Sequence, residues 1–326
     1  MDILIYEYFL GEDFKRNTSP LILNEAKLIT DFLIEDLKSE YTESKISLLI
    51  NKKNKNFLKK KRCIFRNYEN NLIVDLCNNI KENDKVFILA PEENLNLYNI
   101  VKALEEKEVS NFNCKSNFIY ETTCKIRTQN LLKNSKKYQI KIHKKYQNID
   151  KHKKIVAKIS DGLASENLFV FNDRDDLEKN YNKINKNHVF QEYIEGKVIG
   201  INIFADLNGI NILSINEQIY KNSSEHEIFL HKINIGKFNH MLYEIESFLK
   251  VIFENLDGHF GFIGVDAIMT EDNNIFFLEI NPRLTTSYIG LRKTMGINPF
   301  GFFNNSIINY DITQNSSFTL NITNEK

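Results

Sequence analysis

Residues 261–290 read GFIGVDAIMTEDNNIFFLEINPRLTTSYIG. The segments 261–269 and 275–281 are apolar and of strand length, and Thr270 to Asn274 between them is rich in turn formers, so the stretch reads as a β-hairpin. Yet each segment carries a carboxylate, Asp266 in the first and Glu279 in the second. With the turn centred on Asp272 and Asn273, the two acids face each other directly, their Cβ atoms roughly 4.5–5.5 Å apart. Side chains alternate along a strand, so Glu279 and Asn281 share a face with Asp266. Val265, Ala267, Met269, Phe276, Leu278 and Ile280 form the opposite face, which is wholly apolar and expected in the core. An odd-length turn would shift the register and separate the two acids.

Two opposed carboxylates repel one another and weaken a bare hairpin, whereas a hard dication reverses the sign of that interaction. Mg²⁺, or Mn²⁺ in its place, takes one or two protein carboxylates and completes its shell with water and phosphate oxygens. Asp266, Glu279 and Asn281 therefore read as metal ligands of a phosphate-binding site. The plainer alternative is a solvated edge face on an amphipathic hairpin.

Outside this stretch the composition is that of an ordinary globular protein: 326 residues, 42% of them hydrophobic, with 43 Lys+Arg against 43 Asp+Glu. A balanced charge recruits neither nucleic acid nor membrane, so any ligand is held locally, and small molecules are the expected partners. Cys63, Cys77, Cys114 and Cys124 form no C-x-x-C or zinc spacing, and the N-terminus does not read as a signal peptide. No apolar run approaches the roughly 20 residues that span a bilayer. A soluble, cytoplasmic protein is expected, and nothing in the sequence specifies its oligomeric state.

Strands are expected over 2–9, 45–50 and 86–89, with a helix over 25–37 and another running to about 108, an alternation that implies a parallel α/β unit over 1–112. From 155 the pattern becomes strand-rich: 155–159, 168–171, 189–194, 199–206 and 210–215, with helices over 175–183 and 238–255. The tail after Tyr310 is polar and expected to be loose. The basic run NKKNKNFLKKKR at 51–62 lacks aromatic interleaving and reads as a solvated loop. His226 and His231 lie in SSEHEIFLH, which is not a metalloprotease H-E-x-x-H spacing. Asn216 and Gln218 alternate onto one strand face, where they either line a cleft or form a polar outer surface.

No G-x-x-x-x-G-K-[ST] loop is present, so a nucleotide partner would need another cradle. IVAKISDGLASENLFVF (155–171) places Lys158 on a strand ahead of a loop of small residues. VFQEYIEGKVIGINIF (189–204) joins two strand-like pieces near Glu195 and Gly196. Each piece alone is unremarkable. Their order, followed by GVDAI and LEINPR, resembles the ATP-grasp superfamily of carboxylate–amine ligases over roughly 115–300.

That resemblance implies an ATP-grasp fold, with a Rossmann-like N-terminal domain (1–112), a central lobe (113–195) and a C-terminal lobe (196–326) enclosing ATP. It implies phosphate contacts from Lys125 in ETTCKIRTQNLL and from Lys158, with Ser165 and its neighbouring amides covering the phosphates. Gln191, Glu192 and Ile194 match the hinge that meets adenine. Asp266, Glu279 and Asn281 match ligands of two Mg²⁺ ions, and Arg283 matches the group that stabilises the transferred phosphoryl group or the tetrahedral intermediate. The implied reaction is ATP-dependent amide formation through an acyl phosphate, releasing ADP and phosphate, with Lys158 and Arg283 assisting and no covalent enzyme nucleophile.

This chain departs from the family pattern in having Ile159 where proline is frequent, LASEN where glycine is more abundant, and Val198 near the usual position of an acidic ribose ligand. The segment LTTSYIGLR (284–292) and the opening YEYF (6–9) are similar to the tyramine–L-glutamate ligase group of methanofuran biosynthesis. Thr285, Thr286 and Ser287 then offer hydroxyls for an amino-acid carboxylate, or equally cap a helix. A ligase for another amino acid or peptide, and a non-catalytic nucleotide-binding module, remain open alternatives.

Overall fold

Four short strands open the chain: β1 (Ile3–Glu7), β2 (Ile46–Ile50), β3 (Cys63–Phe65) and β4 (Lys85–Leu89). In the computed structural model, which describes residues 1–12, 20–58, 61–160, 167–307 and 310–322, they pair in parallel in the order β3-β2-β1-β4. Every residue of β1 and β2 is buried, as a parallel sheet covered on both faces requires. Alternate residues feed two different cores. Leu4, Tyr6, Val86 and Ile88 pack with Leu97, Val101 and Leu104 of the helix Asn96–Glu106. Ile3, Ile5, Phe87 and Leu89 pack with Ile29, Leu33 and Leu37 of the helix Pro20–Glu40. The strand expected over 2–9 stops at Glu7. Tyr8–Gly11 forms one helical turn, capped where Glu7 Oε2 accepts from the Leu10 N–H at 2.7 Å.

The second sheet has nine antiparallel strands among the described residues. They are β5 (Ile155–Ile159), β6 (Leu168–Phe171), β7 (His188–Glu192), β8 (Lys197–Asp206), β9 (Gly209–Asn222), β10 (Glu227–Ile235), β11 (Gly261–Met269), β12 (Ile275–Asn281) and β13 (Phe318–Asn321). Their order is β12-β11-β8-β9-β10-β6-β5-β7, with β13 also on β10. Both cores of the first sheet continue into this one: Ile199, Ile201 and Val265 join the first, Phe204, Phe262 and Leu284 the second. A smaller core of Ile155, Ala157, Phe169, Phe171, Leu177 and Phe190 lies under β5 to β7. Phe118, Ile119 and Leu132, from the segment between the two sheets, pack into the first core.

Two expectations fail in this sheet. β9 runs to Asn222 and β10 is a full strand, because the pair forms a long ribbon whose half-buried Glu217, Gln218 and Tyr220 border cavities. The tail is not loose throughout. β13 adds to β10, and Phe318 packs against Gly290, where a Cβ would lie 2.4 Å from its ring.

The β11–β12 hairpin holds the decisive register. Asp266 does pair with Glu279, but Met269 pairs with Ile275 and Ala267 with Phe277. The turn is therefore odd, with Asn273 in the left-handed region at φ 58°. A β-bulge between Asp266 and Ala267 restores the pairing of the acids. The extra residue is Leu278. Leu278 and Glu279 both border the same cavity, and Phe277 and Ile280 enter the core. Phe276 and Leu278 thus leave the core face on which simple alternation put them.

Candidate active site

The acids of the hairpin stand at the floor of a cavity of about 380 Å³, bordered by Lys125, Lys158, Gln191, Ile194, Asp266 and Glu279. Gly200 lies opposite Asp266 on β8, and a Cβ there would come within 2.5 Å of Gln218 Nε2 and 3.3 Å of Asp266 Oδ1. A side chain there would displace the Gln218 amide from its place beside Asp266. Gln218 Nε2 donates to Asp266 Oδ1 at 2.7 Å, and Asn281 Nδ2 donates to Asp266 Oδ2 at 3.0 Å. Lys125, at the start of the helix Lys125–Leu131, places Nζ 2.7 Å from Glu279 Oε2. Its backbone N–H donates to the Ser160 carbonyl at 3.1 Å, which ties this helix to the end of β5.

Burial and the nearby Glu279 raise the Asp266 carboxyl above the usual range. Burial acts the same way on Glu279, but Lys125 and Lys158 overcome it and hold that carboxyl low. Burial and the Lys125 charge push the Lys158 ammonium down to about 8. Two lysines and two carboxylates thus border one cleft, with Lys125 and Glu279 in direct contact, the mix of charges that a polyphosphate and its counterion need. Among the described residues no group of three or more His, Cys, Asp or Glu comes together. The set is two carboxylates and the Asn281 amide oxygen, an oxygen-only arrangement that fits an ion whose other ligands are phosphate and water.

The remaining expected nucleotide residues divide. Ile194 lies on the stretch 193–196 that leaves the ladder between β7 and β8, and Gly196 there passes so close to β11 that a Cβ would sit 2.5 Å from the Met269 carbonyl. Gln191 borders the cavity, but its Nε2 donates to the Ile140 carbonyl at 2.9 Å, which anchors the wall. Glu192 pairs with Lys153 at 2.8 Å. Val198 lines the cavity as an apolar side chain. Ser165 lies outside the described residues.

A second cavity, about 280 Å³, shares Gln218, Tyr220 and Asp266 with the first and is also bordered by Arg283, Thr285, Thr286 and Ser287. Arg283 does not point freely into it. Its Nε and Nη2 reach Glu92 Oε2 at 3.1 and 3.0 Å, and Nη1 donates to the Leu284 carbonyl. Burial disfavours the guanidinium charge, and Glu92 more than restores it. Thr285 and Ser287 both donate to Asn202 Oδ1, at 3.0 and 2.9 Å, while Asn202 Nδ2 donates to Ser214. Thr286 donates to Glu25. The hydroxyl protons assigned to a substrate carboxylate are therefore committed within the protein, because buried Asn202 needs donors. Nor does Ser287 cap the helix Tyr288–Met295 with its side chain.

The other candidates lie elsewhere. Asn216 Oδ1 accepts from the Gly236 N–H at 3.0 Å and is structural. His226 is buried against Phe171, with Asp176 at 3.5 Å. The basic run 51–62 borders neither cavity among the described residues.

A family profile described as the ATP-grasp domain matches residues 122–287. The chain belongs to the ATP-grasp family of ATP-dependent carboxylate–amine ligases. It is 27% identical over 306 residues to a tyramine–L-glutamate ligase of Methanocaldococcus fervens, covering 89% of each chain. To the tyramine–L-glutamate ligase of Methanocaldococcus jannaschii it is 28% identical, covering 89% of this chain and 84% of that one. The crystal structure of an ATP-grasp superfamily protein from Archaeoglobus fulgidus superposes with a TM-score of 0.71 at 17% identity, covering 95% of this chain and 90% of the other. Among the described residues no helix is long and apolar enough to cross a membrane.

Within this ATP-grasp chain, sequence reasoning missed Glu7, Glu25, Glu92 and Asn202. A signal was available for two of them. Glu7 ends β1 and Glu92 follows β4, and ligands of open parallel sheets gather at the carboxyl ends of the strands. Nothing local marks Glu25 or Asn202.

Proposed function

We propose that this ATP-grasp protein activates the γ-carboxyl of L-glutamate with ATP and joins it to tyramine, releasing ADP and phosphate. The observation that carries this reading is a pair of adjacent cavities that share Asp266 as a lining residue: a cleft bordered by two lysines and two carboxylates, and beside it a second space large enough for a small molecule. The names of the two relatives support the substrate pair.

In this reading the adenine lies among Val156, Ile194 and Leu278, and the phosphates run between Lys125 and Lys158 toward the hairpin. Asp266, Glu279 and Asn281 hold Mg²⁺, which when bound neutralises the phosphate oxygens and draws charge off the transferred phosphoryl group. Lys125 then exchanges its partner, Glu279, for a phosphate oxygen. Arg283, fixed by Glu92, supplies positive charge beside the carboxylate being activated. The protein mainly positions the reactants, and an amine displaces phosphate from the acyl phosphate.

The test is purified protein with ATP, Mg²⁺, L-glutamate and a panel of amines, read by mass spectrometry together with ADP release. γ-Glutamyltyramine, formed with equimolar ADP, is the expected outcome. Turnover with a different amino acid and none with L-glutamate would leave the ligase reading standing and overturn the substrate assignment.

A further inference from the structure

We infer that the second cavity is the binding site of the amine, that its ammonium lies against Glu7 and Glu25, and that this carboxylate pair takes the ammonium's proton. The inference rests on the ligase reading and adds where the nucleophile sits and what activates it.

The first support is position. In the order β3-β2-β1-β4, the chain leaves β1 toward β2 on one side and returns to β4 on the other, so the topological switch point lies between β1 and β4. Crevices at such points are where open α/β sheets take ligands. Glu7, Leu89, Ala90 and Pro91, at the carboxyl ends of these two strands, border the cavity, which reaches the hairpin at Asp266 and Asn281. A molecule held here adjoins the carboxylate activated at Asp266.

The second support is chemistry. Glu7 is 5% exposed. Its partners are main-chain N–H groups, Leu10 at 2.7 Å among them. Glu25 accepts from Thr286. Among the described residues neither carboxylate has a cation at ion-pair distance. Arg283, whose guanidinium borders the cavity, is already paired with Glu92. Two acids that, among the described residues, feel Arg283 only at a distance and have no cation in contact, in a space walled by Phe9, Ile22, Ile29, Phe229, Leu230 and Ile233, suit a primary ammonium on an apolar body. They do not suit a second carboxylate. Burial, with Glu25 contributing, outweighs the Leu10 and Phe9 N–H groups and Arg283 and pushes the Glu7 carboxyl up to about 8, so in the ionised form that a bound ammonium favours it is a stronger base than an ordinary glutamate.

The step balances without a further reactant. The ammonium gives one proton to the carboxylate pair, which later releases it to solvent. The freed nitrogen lone pair forms the C–N bond at the acyl carbon, the C–O bond to phosphate breaks, and the second N–H proton leaves with the phosphate.

Hydroxylamine separates this inference from the reading beneath it, because it is small, uncharged at neutral pH and traps an acyl phosphate without needing apolar walls or an acid pair. With ATP, Mg²⁺ and L-glutamate, each protein is given hydroxylamine or tyramine, and the ratio of amide to hydroxamate is measured. The ratio is expected to fall by about tenfold or more in Ile22→Trp, which fills the cavity, and in Glu25→Gln, with the loss appearing in the KM for tyramine. The ratio within one preparation cancels any loss of folded protein. An unchanged ratio in both variants, or a raised KM for L-glutamate in place of tyramine, overturns the assignment of this cavity to the amine. If the parent protein forms neither hydroxamate nor amide from any amino acid, the ligase reading itself is overturned and the inference with it.

Discussion

Asp266 and Glu279 are like charges on paired residues, and Lys125 is the one cation in ion-pair contact with either among the described residues. Glu279→Gln keeps shape and burial, relieves the repulsion and leaves Asp266 near Lys125, so the melting temperature should move by only a few degrees. Turnover should fall by about 100-fold or more, because the site loses half its anionic hold on the dication. Calorimetry alongside ADP release checks both halves, and full activity would remove the hairpin from the mechanism. Glu7 gives a different kind of prediction. Burial lifts its carboxyl from 4.5 to about 8 in the folded state. A carboxyl shifted this way contributes stability that is fully present below its unfolded pKa and lost as pH rises through the folded one. Glu7→Gln removes that loss. The variant should therefore gain on the parent between about pH 5 and about pH 9, by a few kcal/mol at most. Urea midpoints of the ligand-free proteins test this, and a pH-independent difference would contradict it.

At the scale of the element, the hairpin shows how a local rule reaches a correct contact by an incomplete route. Alternation and an even turn predict the Asp266–Glu279 pair, whereas the structure reaches it with an odd turn and a bulge at Leu278. Deleting Leu278 should consequently spare the pair. Phe277 stays in the core, Glu279 stays opposite Asp266, and the cleft loses one apolar wall. Stability should change by about 1 kcal/mol or less, while ATP binds several-fold more weakly. Deleting Asn274 instead shortens the turn and forces Ile275 and Phe277 off the core face, at a cost of several kcal/mol. Thermal unfolding of the two deletions ranks them, and equal losses would mean that the bulge, and not the turn, sets the register.

At the scale of the whole molecule, the two large cores run through both sheets, so the N-terminal sheet is a wall of the site and not an appendage. The Glu92–Arg283 pair spans 191 residues of chain and bolts the end of β4 to the end of the hairpin. Glu92→Gln leaves a partly buried guanidinium without its counter-charge, which should cost about 3 kcal/mol. It should also lower kcat/KM by about tenfold as Arg283 loses its fixed direction. The swap of Glu92→Arg with Arg283→Glu separates these roles. It should recover much of the stability and none of the activity. Recovery of both would show the pair to be structural only.

Local periodicity made the two sheets, the hairpin and the Asp266–Glu279 pair legible, since partners a dozen residues apart across a tight turn are encoded by alternation and turn chemistry. The linear order of Lys158, the hinge and LEINPR is legible in the same way, and it carried the family. Residue order could not show that Lys125 reaches Glu279, that Asn202 takes up the hydroxyls of Thr285 and Ser287, or that Glu7 and Glu25 meet in the second cavity. Those partners lie from 18 to 154 residues apart. No period of strand or helix relates them. Tertiary packing brings them together: the helix Lys125–Leu131 against β12, the segment after β12 against β8, and the helix Pro20–Glu40 against the first sheet.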